Sequence, residues 1–327
     1  MSSKIPRTLL SGTIIALLLI TAFFAGCTGS SSQPAATPAA TAAPVQTPAA
    51  TVVTTEVPAP AATTTLAAAV TTAPAAVATT GTPAPVYTAA QGNVVAFTAA
   101  SLKGASPALA ARFEEMYPGH HVVFNLDGTQ ALKTQVQNGA YADVFISASN
   151  SYTNELKSGG YFVDGTVKPL ATNYVIVILP ANNPAGIRDL SDLAKPGVKI
   201  ARAAKTVPVG TATDAALANM AKSTYGAAWN DSVYTNTVTY ETAEPSVASK
   251  VALGEVDAGF VYESTAIAAK PGTYTSISIP KKDNYLQTYT IGVLKESGSK
   301  GAAADFETFM LSDAGQQILK EYGFRPA

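Results

Sequence analysis

From residue 92 onward the chain alternates short apolar runs with stretches of helical period. The runs VVAFTA at 94–99, HVVFNL at 121–126, ADVFIS at 142–147, YVIVILP at 174–180, VKIAR at 198–202 and VDAGFVY at 256–262 have the length and β-branched content of strands. Between and after them, the segments at 108–117, 131–139, 212–226, 245–254, 302–311 and 312–323 repeat apolar residues at helical spacing. Such alternation predicts an α/β fold of parallel sheets with helices on their faces. Ligands of these sheets sit beyond the C-terminal ends of strands, where the following helices begin. The polar residues at the strand-to-helix junctions are therefore the candidates for chemistry.

The first 91 residues read differently. Lys4 and Arg7 precede an apolar run, LLSGTIIALLLITAFF, that ends in Ala25-Gly26 directly before Cys27, the single cysteine of the chain. Residues 1–27 are expected to be a signal peptide. Small residues before a lone cysteine resemble the lipobox of lipoproteins, in which the thiol takes a diacylglycerol, so Cys27 is the expected lipid attachment site. An uncleaved membrane anchor and an ordinary signal peptide with an incidental cysteine are the alternatives, and each places the rest of the chain outside the cytoplasm. Residues 28–91 are Ala, Thr, Pro, Ser and Val with one charge, Glu56, and no aromatic before Tyr87. That composition cannot bury a core and predicts a disordered, extended stalk.

Charge and composition then remove function classes. The net charge of −1 argues against nucleic-acid binding, which needs clustered Lys and Arg. One cysteine excludes a disulfide framework and a cysteine-based zinc site. The two histidines, His120 and His121, are adjacent and would point to opposite faces of a strand, so neither a His-rich metal centre nor a Ser-His-Asp triad is expected. No nucleophile with a base is evident, and the reading is of a non-enzyme without cofactor.

Four junctions share one chemistry. VAFTAASL brings Ser101 to the end of a strand, as a candidate helix N-cap or as a hydroxyl for an anion. Asp127-Gly128-Thr129-Gln130 follows the second strand, and Val207-Pro208-Val209-Gly210-Thr211 stands just ahead of the helix beginning near Ala212. Thr242-Ala243-Glu244-Pro245 is the fourth, with Pro245 suited to the first helical position. Four helix starts with small or hydroxylated residues and no Lys or Arg point to a small anion held by N–H and O–H donors alone.

VAFTAASL, DGTQALKTQVQNGAYADVFISAS, NYVIVILP, VPVGTATDAAL, KVALGEVDAGFVYESTA and SDAGQQILKEYGF together resemble the periplasmic molybdate-binding proteins of ABC importers, over 92–327, with Tyr141 where Pro is commoner. The resemblance implies a two-lobed type II periplasmic binding protein fold with two crossing hinge strands. Lobe one would comprise 92–172 and 288–327, and lobe two 173–287. It implies a monomeric solute-binding lipoprotein that captures molybdate or tungstate and passes it to an ABC permease and its ATPase. Residue by residue, Ser101 and Thr129 would supply hydroxyls, Val209 a backbone N–H, and Tyr262 a phenol to the oxyanion. Rival occupants are sulfate and phosphate, and a stalked surface sensor or adhesive domain is a more distant alternative.

Glu244 departs from that pattern. It lies eighteen residues before Tyr262, where bacterial members carry an apolar residue that offers its backbone N–H. Some archaeal, tungstate-binding relatives place a Glu there and an Asp before the third helix, which together expand the metal to six-coordination. Here Val207 stands at the Asp position. Glu244 is therefore expected to offer its N–H and turn its carboxylate away; coordination of the metal centre and a carried proton are the alternatives. Asp127 is expected to cap the Gly128-Thr129 turn. Tyr234, Tyr240 and the tyrosines of 285–289 are read as packing strands or lining the cleft mouth, Trp229 and Tyr225 as anchoring a helix end, and Lys281-Lys282-Asp283 as a solvated loop.

Overall fold

A computed structural model describes Tyr87, Thr88 and residues 92–327. Cys27, the signal peptide expected over 1–27 and all of the expected stalk of 28–91 but Tyr87 and Thr88 lie outside the described residues.

In chain order, β1 (Asn93–Ala99) runs into a single 3-10 turn (Ala100–Leu102), then α1 (Ser106–Met116), β2 (His121–Asp127), α2 (Thr129–Gln137), β3 (Val144–Ser147) and α3 (Asn150–Ser158). The long strand β4 (Lys168–Pro180) leads to β5 (Ile200–Ala203), α4 (Pro208–Met220), α5 (Ala227–Thr235), β6 (Thr237–Glu241), α6 (Glu244–Ala252), β7 (Ala258–Tyr262), α7 (Glu263–Ile267) and β8 (Tyr274–Ser278). β9 (Leu286–Val293) returns the chain, which ends in α8 (Lys300–Leu311) and α9 (Asp313–Glu321).

Among the described residues the strands connect in the order β2-β1-β3-β9-β4-β7-β5-β6, with β8 paired to β4. β1 pairs parallel with β2 and β3, and β5 pairs parallel with β6 and β7. The sheet is nonetheless mixed, not purely parallel as the alternation predicts. β9 runs antiparallel to β3 and to residues 168–174 of β4, while residues 175–180 of β4 pair antiparallel with β7 and β8. A connection that leaves one parallel sheet and later re-enters it needs two strands of opposite sense. β4 and β9 fill that role, meeting at the pairs Thr172↔Thr288 and Asn173↔Gln287. The C-terminal segment is stitched to the same strand, Thr172 and Arg325 exchanging two backbone hydrogen bonds of 2.7 and 2.9 Å.

Period-2 alternation explains why β1 is apolar throughout. Val94 and Ala96 enter the larger core, which runs beneath the α1, α8 and α9 helices and on into the second half of the sheet. Val95 and Phe97 face the opposite way, into a smaller core with Leu132, Val136, Phe145 and Phe162. Tyr87 packs edge-to-face on Phe97 with ring centroids 5.8 Å apart, so packing begins ahead of residue 92.

One loop reading changes, and the expected anchoring of a helix end by Trp229 and Tyr225 is seen. Asp283 is buried at 3% exposure, accepting from Ser223 Oγ at 2.6 Å and from Lys282 Nζ at 2.7 Å, so the Lys281-Lys282-Asp283 loop is pinned and not simply solvated. Tyr225 and Trp229 stack at 4.6 Å, but across the junction between a π-helical turn (Ala221–Tyr225) and α5, where Trp229 Nε1 donates to the carbonyl of Leu190. Tyr234 and Tyr240 flank the buried Arg202 guanidinium at 4.4 and 5.8 Å.

Candidate functional site

The C-terminal ends of β1, β2, β3, β5, β6 and β7 converge on one small cavity. It is lined by Ala99, Ala100 and Ser101 after β1, Gly128 and Thr129 after β2, Ala148 after β3, Val207, Pro208 and Val209 after β5, Glu244 after β6, and Tyr262 ending β7. Ser101, Thr129, Val209, Glu244 and Tyr262 are thus brought together from five separate stretches of sequence. Lysine, arginine and histidine are absent from this lining. The room for a water molecule's centre is about 10 Å³, close to the least that admits one water molecule.

Three helices present their first turns here. Thr129 is the first residue of α2, Val209 the second of α4, and Glu244 the first of α6. First-turn N–H groups have no preceding helical carbonyl and carry the positive end of the helix dipole. The helix carrying Val209 begins at Pro208, four residues earlier than the apolar period alone indicates, because proline at the first helical position supplies the start. Gly210 makes this approach possible: a Cβ there would lie 2.1 Å from the Ala204 carbonyl oxygen and 2.6 Å from that of Ala203.

The hydroxyl groups have defined partners. Ser101 sits in the middle of the 3-10 turn and makes no cap; α1 begins later, after Ala105. Its Oγ lies 2.7 Å from the phenol oxygen of Tyr289, a fully buried residue of β9. Thr129 Oγ1 accepts the N–H of Ala148 at 3.1 Å, which leaves its own proton to donate elsewhere. Asp127 Oδ1 accepts the N–H of Gly128 at 2.7 Å, the turn-capping role expected of it.

Tyr262 is 1% exposed, and its phenol donates to Gln287 Oε1 at 3.3 Å. Burial, reinforced by Tyr289 and Glu244 nearby, raises its pKa well above the ordinary phenol value, so the group is a permanent donor. Glu244 is 3% exposed. Its Oε1 accepts the N–H of Tyr262 at 2.8 Å and the hydroxyl of Thr265 at 2.6 Å. Burial pushes its carboxyl up to about 7 against the pull of those two donors.

Tyr289 was not among the expected site residues. Its signal was the alternation Gln287, Tyr289, Ile291 along β9, which puts these side chains on one face, but nothing in that alternation indicates a hydroxyl partner 188 residues away. Two further contacts close the cleft without lining the cavity. Gln130 Nε2 donates to the Thr242 carbonyl at 2.9 Å, and the Tyr152 phenol donates to the Thr206 carbonyl at 2.6 Å.

A family model described as "Bacterial extracellular solute-binding protein" matches residues 94–325. The molybdate-binding protein ModA of Mycobacterium tuberculosis (strain ATCC 25618 / H37Rv) is 32% identical over 232 residues, covering 71% of this chain and 84% of the relative. Among solved structures, the periplasmic molybdate-binding protein of Azotobacter vinelandii superposes with a TM-score of 0.62 at 23% identity, over 72% of this chain and 99% of that one. The sulfate-binding protein SubI of Mycobacterium tuberculosis H37Rv gives a TM-score of 0.62 at 20% identity, over 72% and 87%. At these identities the two structures speak for the fold alone, a two-lobed type II binding protein. The match from β1 to the closing segment makes this chain a member of the bacterial extracellular solute-binding proteins, a family of binding proteins and not an enzyme class.

Proposed function

We propose that the protein captures a tetrahedral oxyanion, molybdate foremost and tungstate with it, and delivers it to an ABC permease and its ATPase. The carrying observation is the cavity lined by three helix first turns, two hydroxyls and a phenol, with no cationic side chain. A dianion placed there meets dipoles and donors from several directions, which disperse its charge without a counter-ion. Ser101 and Thr129 donate O–H groups, Tyr262 turns its phenol proton from Gln287 Oε1 to the ligand on binding, and Val209 and Glu244 donate N–H groups. A tetrahedral oxyanion is larger than the one water molecule the cavity has room for, so loading has the lobes part and reclose by bending at β4 and β9. The lobes are 92–172 with 288–327, and 173–287, which places the border at the Asn173↔Gln287 pair. The mature chain acts as a monomer tethered through a lipid on Cys27.

Sulfate is the second reading, favoured by the fold likeness to a sulfate-binding protein. Calorimetric titration with molybdate, tungstate, sulfate and phosphate separates the two. Sulfate is smaller and leaves donors on one side out of reach. Each lost charge-assisted bond costs roughly 1.5–3 kcal/mol, so two lost bonds give discrimination on the order of a hundredfold or more. Equal affinity for sulfate and molybdate would transfer the proposal to sulfate.

A further inference from the structure

The Tyr262 phenol has a single proton to give, and that proton is already engaged. Its oxygen lies 3.3 Å from Gln287 Oε1, and both side chains are buried. The other end of the amide sets the direction of this bond. Gln287 Nε2 donates to the Thr288 carbonyl at 3.1 Å, and a carbonyl oxygen can be served only by the NH2 end, so Oε1 is the atom turned to Tyr262. Oε1 has no proton, so the phenol is the donor. Among the described residues this is the one hydrogen bond the phenol makes. Tyr262 also lines the anion cavity, where a fully deprotonated oxyanion would offer acceptors alone. A phenol whose proton stays on Gln287 would meet such a ligand oxygen against oxygen. Binding therefore has to break the Tyr262–Gln287 bond before the phenol contributes anything.

We infer that Gln287 is a positioning residue that tempers affinity: it holds the Tyr262 proton off the cavity until the oxyanion takes it, and receives it back when the ion leaves. The inference rests on the proposed oxyanion function. Tyr262 ends β7 and Gln287 lies on β9, both within the proposed 173–287 lobe, so the bond does not depend on lobe closure. It keeps the phenol placed and satisfied while the lobes stand apart, since a buried hydroxyl without a partner is costly. Gln287 is not stranded by the exchange. It also lines a larger pocket with Ser149, Tyr285 and Thr288, where the room for water molecules' centres is about 260 Å³, so water can replace the phenol at Oε1. Each binding event thus trades a neutral hydrogen bond for a charge-assisted one, and Tyr262 adds less to affinity than the bond it makes to the ligand. A protein that must hand its ion on gains from this discount, because the waiting acceptor lowers the cost of release.

The test is a cycle of wild type, Gln287→Met, Tyr262→Phe and the double variant, titrated calorimetrically with molybdate. Methionine keeps the length of the glutamine without its acceptor. Gln287→Met is expected to tighten molybdate binding about threefold to tenfold, the range for one net hydrogen bond that no longer competes. Tyr262→Phe is expected to weaken binding, and adding Gln287→Met to it should change affinity by less than about twofold, since no proton is left to release. A glutamine that only packs or braces β9 would leave binding unchanged or weaker in the Met variant, or change it equally with and without the phenol. Any of these overturns the inference while leaving the oxyanion function intact. Wild type that takes up no tetrahedral oxyanion overturns the function and the inference together. Should Gln287→Met fail to fold, the NMR side-chain amide signals of wild-type Gln287 decide. A shift on saturation with molybdate that disappears in Tyr262→Phe supports the exchange; signals that stay in place, or shift equally without the phenol, refute it.

Discussion

Glu244 Oε1 accepts the backbone N–H of Tyr262, eighteen residues further on, at 2.8 Å, and so ties the first turn of α6 to the end of β7 across one wall of the cavity. The Thr265 hydroxyl joins the same oxygen at 2.6 Å. An amide oxygen can take over both bonds, so Glu244→Gln is expected to preserve the wall while removing the charge. Like charges ~6 Å apart repel by roughly 1–3 kcal/mol at intermediate effective dielectric. Because a carboxyl at about 7 escapes that repulsion by taking up a proton, calorimetry near neutrality should find molybdate and tungstate affinity unchanged or raised by about twofold, and by about tenfold at pH 8. A clear loss, with more than four oxygens around tungsten by X-ray absorption, would mean that the carboxylate coordinates the metal centre.

The same residue sets a pH dependence. Burial raises its carboxyl from the ordinary 4.5 to about 7, and an adjacent dianion favours the protonated form still more. Binding near neutrality should therefore take up a proton, visible as heats that vary with buffer ionisation enthalpy. Affinity is expected to be level well below pH 7 and to fall above it, by at most about tenfold per pH unit for a single proton. For the ligand-free protein the folded state holds a proton that the unfolded chain has released between pH 4.5 and about 7, so stability declines with rising pH across that window. Denaturant titrations of wild type and Glu244→Gln should differ in this slope; parallel profiles would contradict the buried acid.

Tyr152 and Gln130 hold the cleft shut from outside the cavity. Tyr152→Phe and Gln130→Ala should each speed ligand release about threefold to tenfold, the range for one net hydrogen bond, with little change in association rate. The molybdate-to-sulfate ratio should stay constant, because neither residue lines the cavity. Stopped-flow release measurements check both points, and a shifted ratio would place these side chains at the ligand.

Gly210→Ala forces a methyl against two backbone carbonyl oxygens, at 2.1 and 2.6 Å, that cannot move aside as a side chain would. Overpacking of this kind costs typically ~1–3 kcal/mol, and the displaced first turn carries the Val209 N–H. A lowered melting temperature together with weakened oxyanion binding is expected. Full binding in a destabilised variant would show that the turn is not part of the site.

The apolar strands were legible because burial imposes their period, and the helix starts because small, hydroxylated and proline residues mark them. β6 (TVTYE) and β8 (YTSIS) were not: both stand at sheet margins with exposed or half-buried side chains, so no apolar run announces them. α3 (NSYTNELKS) escaped for the same reason, burying only Thr153 and Leu156. At the site, Ser101, Thr129, Val209, Glu244 and Tyr262 could be singled out by their place after strands, and the structure gathers them around one cavity. What Ser101 and Glu244 do with their polar atoms was not legible, since it depends on Tyr289 and Thr265, which meet them only through the return of β9 and the start of α7.

A position that serves through its N–H places almost no demand on its side chain. At Val209 the proposed contact asks only for a residue that can enter a helical first turn beside Gly210, while the side chain, 1% exposed, answers to the core it packs in. Apolar residues that fill the same space can replace it while the N–H stays in place, so a substitution scan there would report packing and not ligand chemistry. The neighbouring glycine, which touches no ligand, would instead be the residue held fixed. In a pocket built on helix starts, constraint settles on the residues that place the backbone, and invariance becomes a poor guide to what meets the ion.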